Sequence, residues 1–172
     1  MLTISFSVFS QTNIVPITNY DQVLLKKGTL TIKEYVEFEN LYGMKGEISV
    51  LTEVISGNKS YFLRLSGDYE NSKYDTGTAV SILDAKEIDS AINAIDFMIK
   101  KNDAILDTAP YTEVTYKSNG DPRFGFYVSG NRRRVFFEIN SKKTFYYNTE
   151  TLIQLKNFFL HAKAKINELG GE

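Results

Sequence analysis

The chain has no cysteine and no tryptophan, and only one histidine and three prolines among its 172 residues. Without cysteine there are no disulfides, zinc-thiolate sites, iron–sulfur clusters or thiol nucleophiles, and no lipid anchor attached through a cysteine. One histidine leaves no His pair for a metal centre. Three prolines exclude a long Pro-rich linker. Charge of either sign is not in excess: 20 Lys and Arg face 21 Asp and Glu, a net charge of −1. A pI near 5.9 gives no global drive toward nucleic acid or an anionic membrane. No apolar run approaches the roughly 20 residues of a membrane-spanning helix. No Gly-x-Gly-x-x-Gly, Gly-Lys-Ser/Thr or Gly-x-Ser-x-Gly occurs, so nucleotide loops and the nucleophile elbow have no support. The composition implies no cofactor, and an absence of cysteine fits either a reducing or an oxidising compartment.

What the chain does have is rings, turns and periodicity. It carries 11 Tyr and 12 Phe. After Asn148, at the position of an N-cap, Leu152, Leu155, Phe159, Ala162, Ile166 and Leu169 recur at steps of three and four. This places them on one face of a helix near 149–169 that Gly170 and Gly171 end. Ile88, Ala91, Ile92, Ile95 and Ile99 mark a similar helix near 85–101. Each stripe is expected to cover the strands that precede it.

Period-two alternation predicts those strands. In a first unit, 29–101, they run over Thr29–Asn40, Glu47–Ser56, Tyr61–Leu65 and Thr78–Leu83, with Gly67–Gly77 read as a polar loop. In a second unit, 109–169, they run over Tyr111–Lys117, Phe124–Val128, Arg133–Ile139 and Thr144–Tyr147. Asn-Gly at 119–120 centres a hairpin turn between the first two of these. Residues 11–28 read as an irregular lead-in. Residues 1–10 are apolar and small without charge, and Val8 and Ser10 stand at −3 and −1 of a possible signal-peptidase cut. They read as a shortened signal peptide, or else as a strand with Ile4, Phe6 and Val8 on one side. The fold class expected is α+β: two tandem four-stranded antiparallel sheets, each followed by a helix, together one compact domain.

The two units align at an offset of about 64 residues, Asp84 matching Asn148 and Ile95 matching Phe159. Four antiparallel strands and one helix, given twice, resembles the element order of single-strand nucleic-acid binders of the PC4 and Whirly type. That resemblance implies single-stranded nucleic-acid binding as one function, and it carries no motif residues over. The Phe-Ser-Gln at 9–11 and the Tyr-Thr-Glu-Val-Thr-Tyr-Lys-Ser run at 111–118 are similar to small exported proteins of Bacteroidetes-type genomes, which implies a periplasmic or extracellular place. A cytoplasmic place is the alternative.

Candidate chemistry is sparse. His161 falls on a helix flank with Phe158 and Lys165, off the apolar face. Asp68, Glu70 and Asp75, with Asn71, are oxygen ligands of the kind calcium takes, but their spacing matches no EF-hand. Asp84, Glu87 and Asp89 sit where a helix start favours negative charge. The most informative set is one face of the second sheet. Alternation puts Val114, Tyr116, Phe124, Phe126, Val128, Val135, Phe137 and Ile139 on the core side. It puts Lys117, Tyr127, Arg132, Arg134, Phe136 and Tyr146 on the other. Rings interleaved with cations suit base stacking and phosphate contact, suit a protein interface, and also suit packing between units. The expectation is a non-catalytic, exported binding or interaction module for a protein or small ligand. The alternatives are a single-stranded nucleic-acid binder working through this face and a carboxylate-based hydrolase.

Overall fold

The computed structural model describes residues 18–106 and 110–171. Both readings of residues 1–10, and residues 11–17 of the lead-in, lie outside these. The chain forms two four-stranded antiparallel sheets, in the spatial orders β1-β2-β3-β4 and β5-β6-β7-β8, each followed by a helix. The first sheet comprises β1 (Thr31–Leu41), β2 (Met44–Glu53), β3 (Lys59–Ser72) and β4 (Asp75–Asp84). The second comprises β5 (Thr112–Lys117), β6 (Arg123–Ser129), β7 (Arg132–Ile139) and β8 (Lys143–Tyr147). The long helices are α2 (Ile88–Ala104), reached through a 3₁₀ turn, and α3 (Thr151–Glu168). This is the α+β architecture that the alternation implies.

Three local readings are corrected. The lead-in contains a helix, α1 (Asn19–Leu25), capped where the Thr18 hydroxyl accepts the Asp21 N–H at 3.0 Å. Seven residues are too few to show a helical period, and its stability comes from docking. There the Tyr20 ring meets Phe62 edge-on, centroids 5.1 Å apart. The supposed loop Gly67–Gly77 is mostly strand, because β3 and β4 stay paired down to Ser72 and Asp75. That end of the hairpin is polar on both faces, so no apolar alternation marks it. Asn148 opens a turn rather than capping α3. Its carbonyl accepts the Thr151 N–H at 3.2 Å, and its side chain accepts the Thr151 hydroxyl at 3.0 Å.

The larger correction concerns what each helix covers. The helix α3 follows the second sheet yet lies along β1, β2 and β3 of the first, while α2 follows the first sheet and lies along β5 and β6 of the second. Adjacent phenylalanines of α3 divide between the sheets. Phe158 packs on Phe38 of β1, centroids 5.2 Å apart, and Phe159 on Phe124 of β6, 5.6 Å apart. An apolar stripe demonstrates that a helix must be covered and is silent on which sheet does it. Both sheets and both helices therefore share one buried cluster, from Leu41 to Ile166. The sheets also touch directly, where Phe145 of β8 lies over Gly67 of β3.

Polar contacts fix the same junction. The β5–β6 turn reaches the edge of β4, where Ile82 donates its N–H to the Gly120 carbonyl at 3.4 Å. A Cβ on Gly120 would lie 1.8 Å from the Ile82 oxygen, so only glycine permits this approach. From the β7–β8 turn, Asn140 donates its side-chain amide to the Val80 carbonyl at 2.8 Å and its backbone N–H to the Ser81 hydroxyl at 3.0 Å. Arg133 points inward from β7 and donates to the Asn102 carbonyl at 2.6 Å, at the C-terminal end of α2, where a cation is favoured.

A candidate interaction face on the second sheet

The candidate surface is the side of the second sheet turned away from the helices. Register decides its membership, since directly paired residues of an antiparallel sheet point to the same side. Lys117 pairs with Arg123, and Arg123 with Glu138. Glu113 pairs with Tyr127, and Tyr127 with Arg134. Gly125 pairs with Phe136, and Phe136 with Tyr146, while Arg132 pairs with Ser129. All six residues named from the sequence thus fall on one face. The register adds Glu113 and Glu138, left out by a search for rings and cations, and Arg123, left out because the strand was read as starting at Phe124.

The six are not equivalent. Tyr146 is 63% exposed. Lys117, Arg132 and Arg134 are exposed, and none has an ion-pair partner among the described residues. Tyr127 is half-buried, and Tyr111 stacks on it with centroids 6.0 Å apart. Phe136 departs from the expectation of an open stacking ring, being only 5% exposed. Its β6 neighbour Gly125 has no side chain, and a Cβ there would lie 3.0 Å from the Phe136 ring and 2.1 Å from the Val114 oxygen. The ring fills that gap, and the Arg123 guanidinium lies over it at 5.4 Å. Phe136 is the floor of the face rather than its contact surface.

Arg123 is itself held by Glu138 at 2.7 Å. The Glu113 carboxylate accepts hydrogen bonds from the Tyr111 and Thr115 hydroxyls, which hold its pKa below the usual carboxylate range. The same hydrogen bond raises the Tyr111 hydroxyl. At one end of the face Lys117, Asp121, Arg123, Glu138, Asn140 and Ser141 line a depression of about 320 Å³. The arrangement offers three free cations, two rings and a carboxylate on a shallow surface.

The other sequence candidates are dispersed. Asp68 accepts a hydrogen bond from Thr78 at 2.7 Å, and Asp75 one from Asn71 at 3.0 Å. Among the described residues no three acidic or histidine side chains converge as a metal site would require. His161 is exposed, with its Nδ1 2.7 Å from Glu39, whereas Phe158, placed on the same flank by the wheel, is buried. The helix is covered on two sides, so its core face is wider than one stripe.

A concavity of about 640 Å³ lies between α1, the first sheet and Gly170–Gly171, and was not foreseen. Its lining includes Lys59, Tyr61, Phe62, Asp84 and Lys86. The buried Asp84 carboxylate accepts the Asn19 N–H at 3.3 Å, and burial raises its pKa. That contact, through Oδ2, anchors α1 to the sheet, while Oδ1 is buried with no hydrogen-bond partner among the described residues.

No protein-family model, curated protein or solved structure matches the chain.

Proposed function

We propose that this protein is a non-catalytic binding module whose recognition surface is the outer face of the second sheet. One observation carries the reading. Lys117, Arg132 and Arg134 stand exposed, with no ion-pair partner among the described residues, beside Tyr127 and Tyr146 on the side of the second sheet opposite its core face. Arginine forks and tyrosine rings are the side chains that contribute most at protein interfaces. The partner that fits is an acidic, extended segment of another protein. A polyphosphate chain fits less well, because Glu113 and Glu138 on the same face oppose a strand charged at every unit more than a segment charged at every second residue, whose uncharged positions can lie beside them. Export belongs to the same reading through the Met1–Ser10 pattern alone, and natural protein beginning at Gln11 would support it.

The test is an anisotropy titration with a labelled peptide of alternating Glu and Tyr, beside a labelled single-stranded oligonucleotide. The expected result is salt-sensitive binding of the peptide that the Arg132→Ala/Arg134→Ala double variant loses. Tighter binding of the oligonucleotide would move the reading to nucleic acid. Binding of neither, or peptide binding unchanged in the double variant, would overturn it.

A further inference from the structure

The first sheet has two edges, and they are treated differently. The β4 edge is occupied by the turns of the second sheet, through Gly120 and Asn140. The β1 edge has no strand beside it among the described residues, although β1 is 11 residues long. An open edge of that length presents unpaired N–H and C=O groups and invites another strand. From Thr31 to Glu37 the strand pairs with β2 without irregularity, so this edge is regular.

The side chains along it are self-complementary. Pairing two copies of β1 antiparallel about a two-fold axis at Tyr35 sets Lys33 opposite Glu37 of the second copy, twice. It sets Tyr35 opposite itself, Ile32 opposite Phe38 and Glu34 opposite Val36. Opposite charges facing across a strand pair are stabilising and like charges are not. Single-residue slips are ruled out, because they would pair residues of opposite faces. An axis at Glu34 or Glu37 places like carboxylates face to face. An axis at Val36 moves the opposite-charge pairs, Lys33 with Glu39, into the irregularity between Glu37 and Asn40, whereas the axis at Tyr35 keeps both Lys33–Glu37 pairs within the regular stretch Thr31–Glu37. Ile32 is 50% exposed on β1.

We infer that β1 is the pairing edge of a symmetric dimer of this chain, joining two first sheets into one continuous eight-stranded sheet. The outer face of the second sheet takes no part and stays open in both copies. The partner is a second copy because the complementarity lies within one strand: Lys33 and Glu37 are two residues either side of one axis.

Sedimentation velocity on the full chain tests this through charge exchange. Wild type is expected to sediment as a dimer. Lys33→Glu alone, and Glu37→Lys alone, each place like charges opposite one another and should dissociate it. The Lys33→Glu/Glu37→Lys double variant restores the pairing with its sign reversed and should sediment as a dimer again. Circular dichroism confirms that each variant is folded. The absence of natural cysteine allows a register test as well. Tyr35→Cys should give a covalent dimer on mild oxidation, since residues paired across antiparallel strands lie within disulfide reach. Wild type that stays monomeric at the highest attainable concentration overturns the inference. So do single exchanges that remain dimeric, or a double exchange that stays monomeric in the folded state.

Discussion

Phe158 of α3 meets Phe38 of β1 edge-on, ring centroids 5.2 Å apart, although the two residues belong to different sheet-plus-helix units. Its neighbour Phe159 turns the other way, to Phe124 of the second sheet. Truncating either to Ala removes its burial and leaves a cavity, a loss of about 3–5 kcal/mol in packed cores. Both variants should be severely destabilised in urea, against a typical domain stability of about 5–15 kcal/mol. A helix that served only its own sheet would instead tolerate Phe158→Ala well.

Because each helix covers the other unit's sheet, neither half is expected to fold alone. Fragments 18–106 and 110–171 should each show poor near-ultraviolet dichroism when separate and regain it when mixed. A cooperative melt for either isolated fragment would contradict the shared core.

The junction through Gly120 gives a narrow test. A methyl group there would enter the Ile82 carbonyl, so the turn must withdraw from β4. Overpacking of this kind costs about 1–3 kcal/mol. Gly120→Ala should lower the urea midpoint accordingly, whereas alanine at Gly57, with open space around it but a φ of 72°, should cost less, chiefly through backbone strain.

Much of this was legible in the sequence. All eight strands and both long helices follow from periods of two and 3.6, and the same parity brought Lys117, Tyr127, Arg132, Arg134, Phe136 and Tyr146 to one face. Contacts between elements were not legible. An amphipathic stripe on α3 does not name its sheet, and a second buried side, through Phe158, breaks the single-stripe picture. Phe136 is on the expected face but covered, because its partner Gly125 leaves a hole that the ring fills. The helix α1 is too short to show a period, and Asp84, read as a helix-start charge, holds α1 from 65 residues away.

Asp84 also sets a pH dependence. Burial raises its pKa in the folded state above the unfolded value, so the folded chain binds the proton more tightly. This contribution favours folding at pH below the ordinary aspartate pKa and is lost as pH rises through the raised folded value. Asp84→Asn keeps an oxygen for the Asn19 N–H and removes the charge. Its stability relative to wild type should therefore increase on going from pH 3 to pH 7, followed by urea denaturation at each pH. A difference that is flat with pH would place the carboxylate in water.

Tyr146→Ala separates recognition from stability. A ring 63% exposed should cost about 0.5 kcal/mol or less when removed, as surface positions generally do. Phe136→Ala should cost about 3 kcal/mol, as buried phenylalanines do. Equal, small losses would mean that Phe136 is as open as its neighbour.

The binding face is tested most directly by mapping amide chemical shifts of the full chain during titration with the alternating Glu and Tyr peptide. The expected result is a contiguous set of shifts at Tyr127, Arg132, Arg134 and Tyr146, with Lys117 at its border and the α1 cleft unchanged. Shifts centred on Asn19, Lys59 and Asp84, or no shifts at saturating peptide, would contradict the assignment of function to the second sheet.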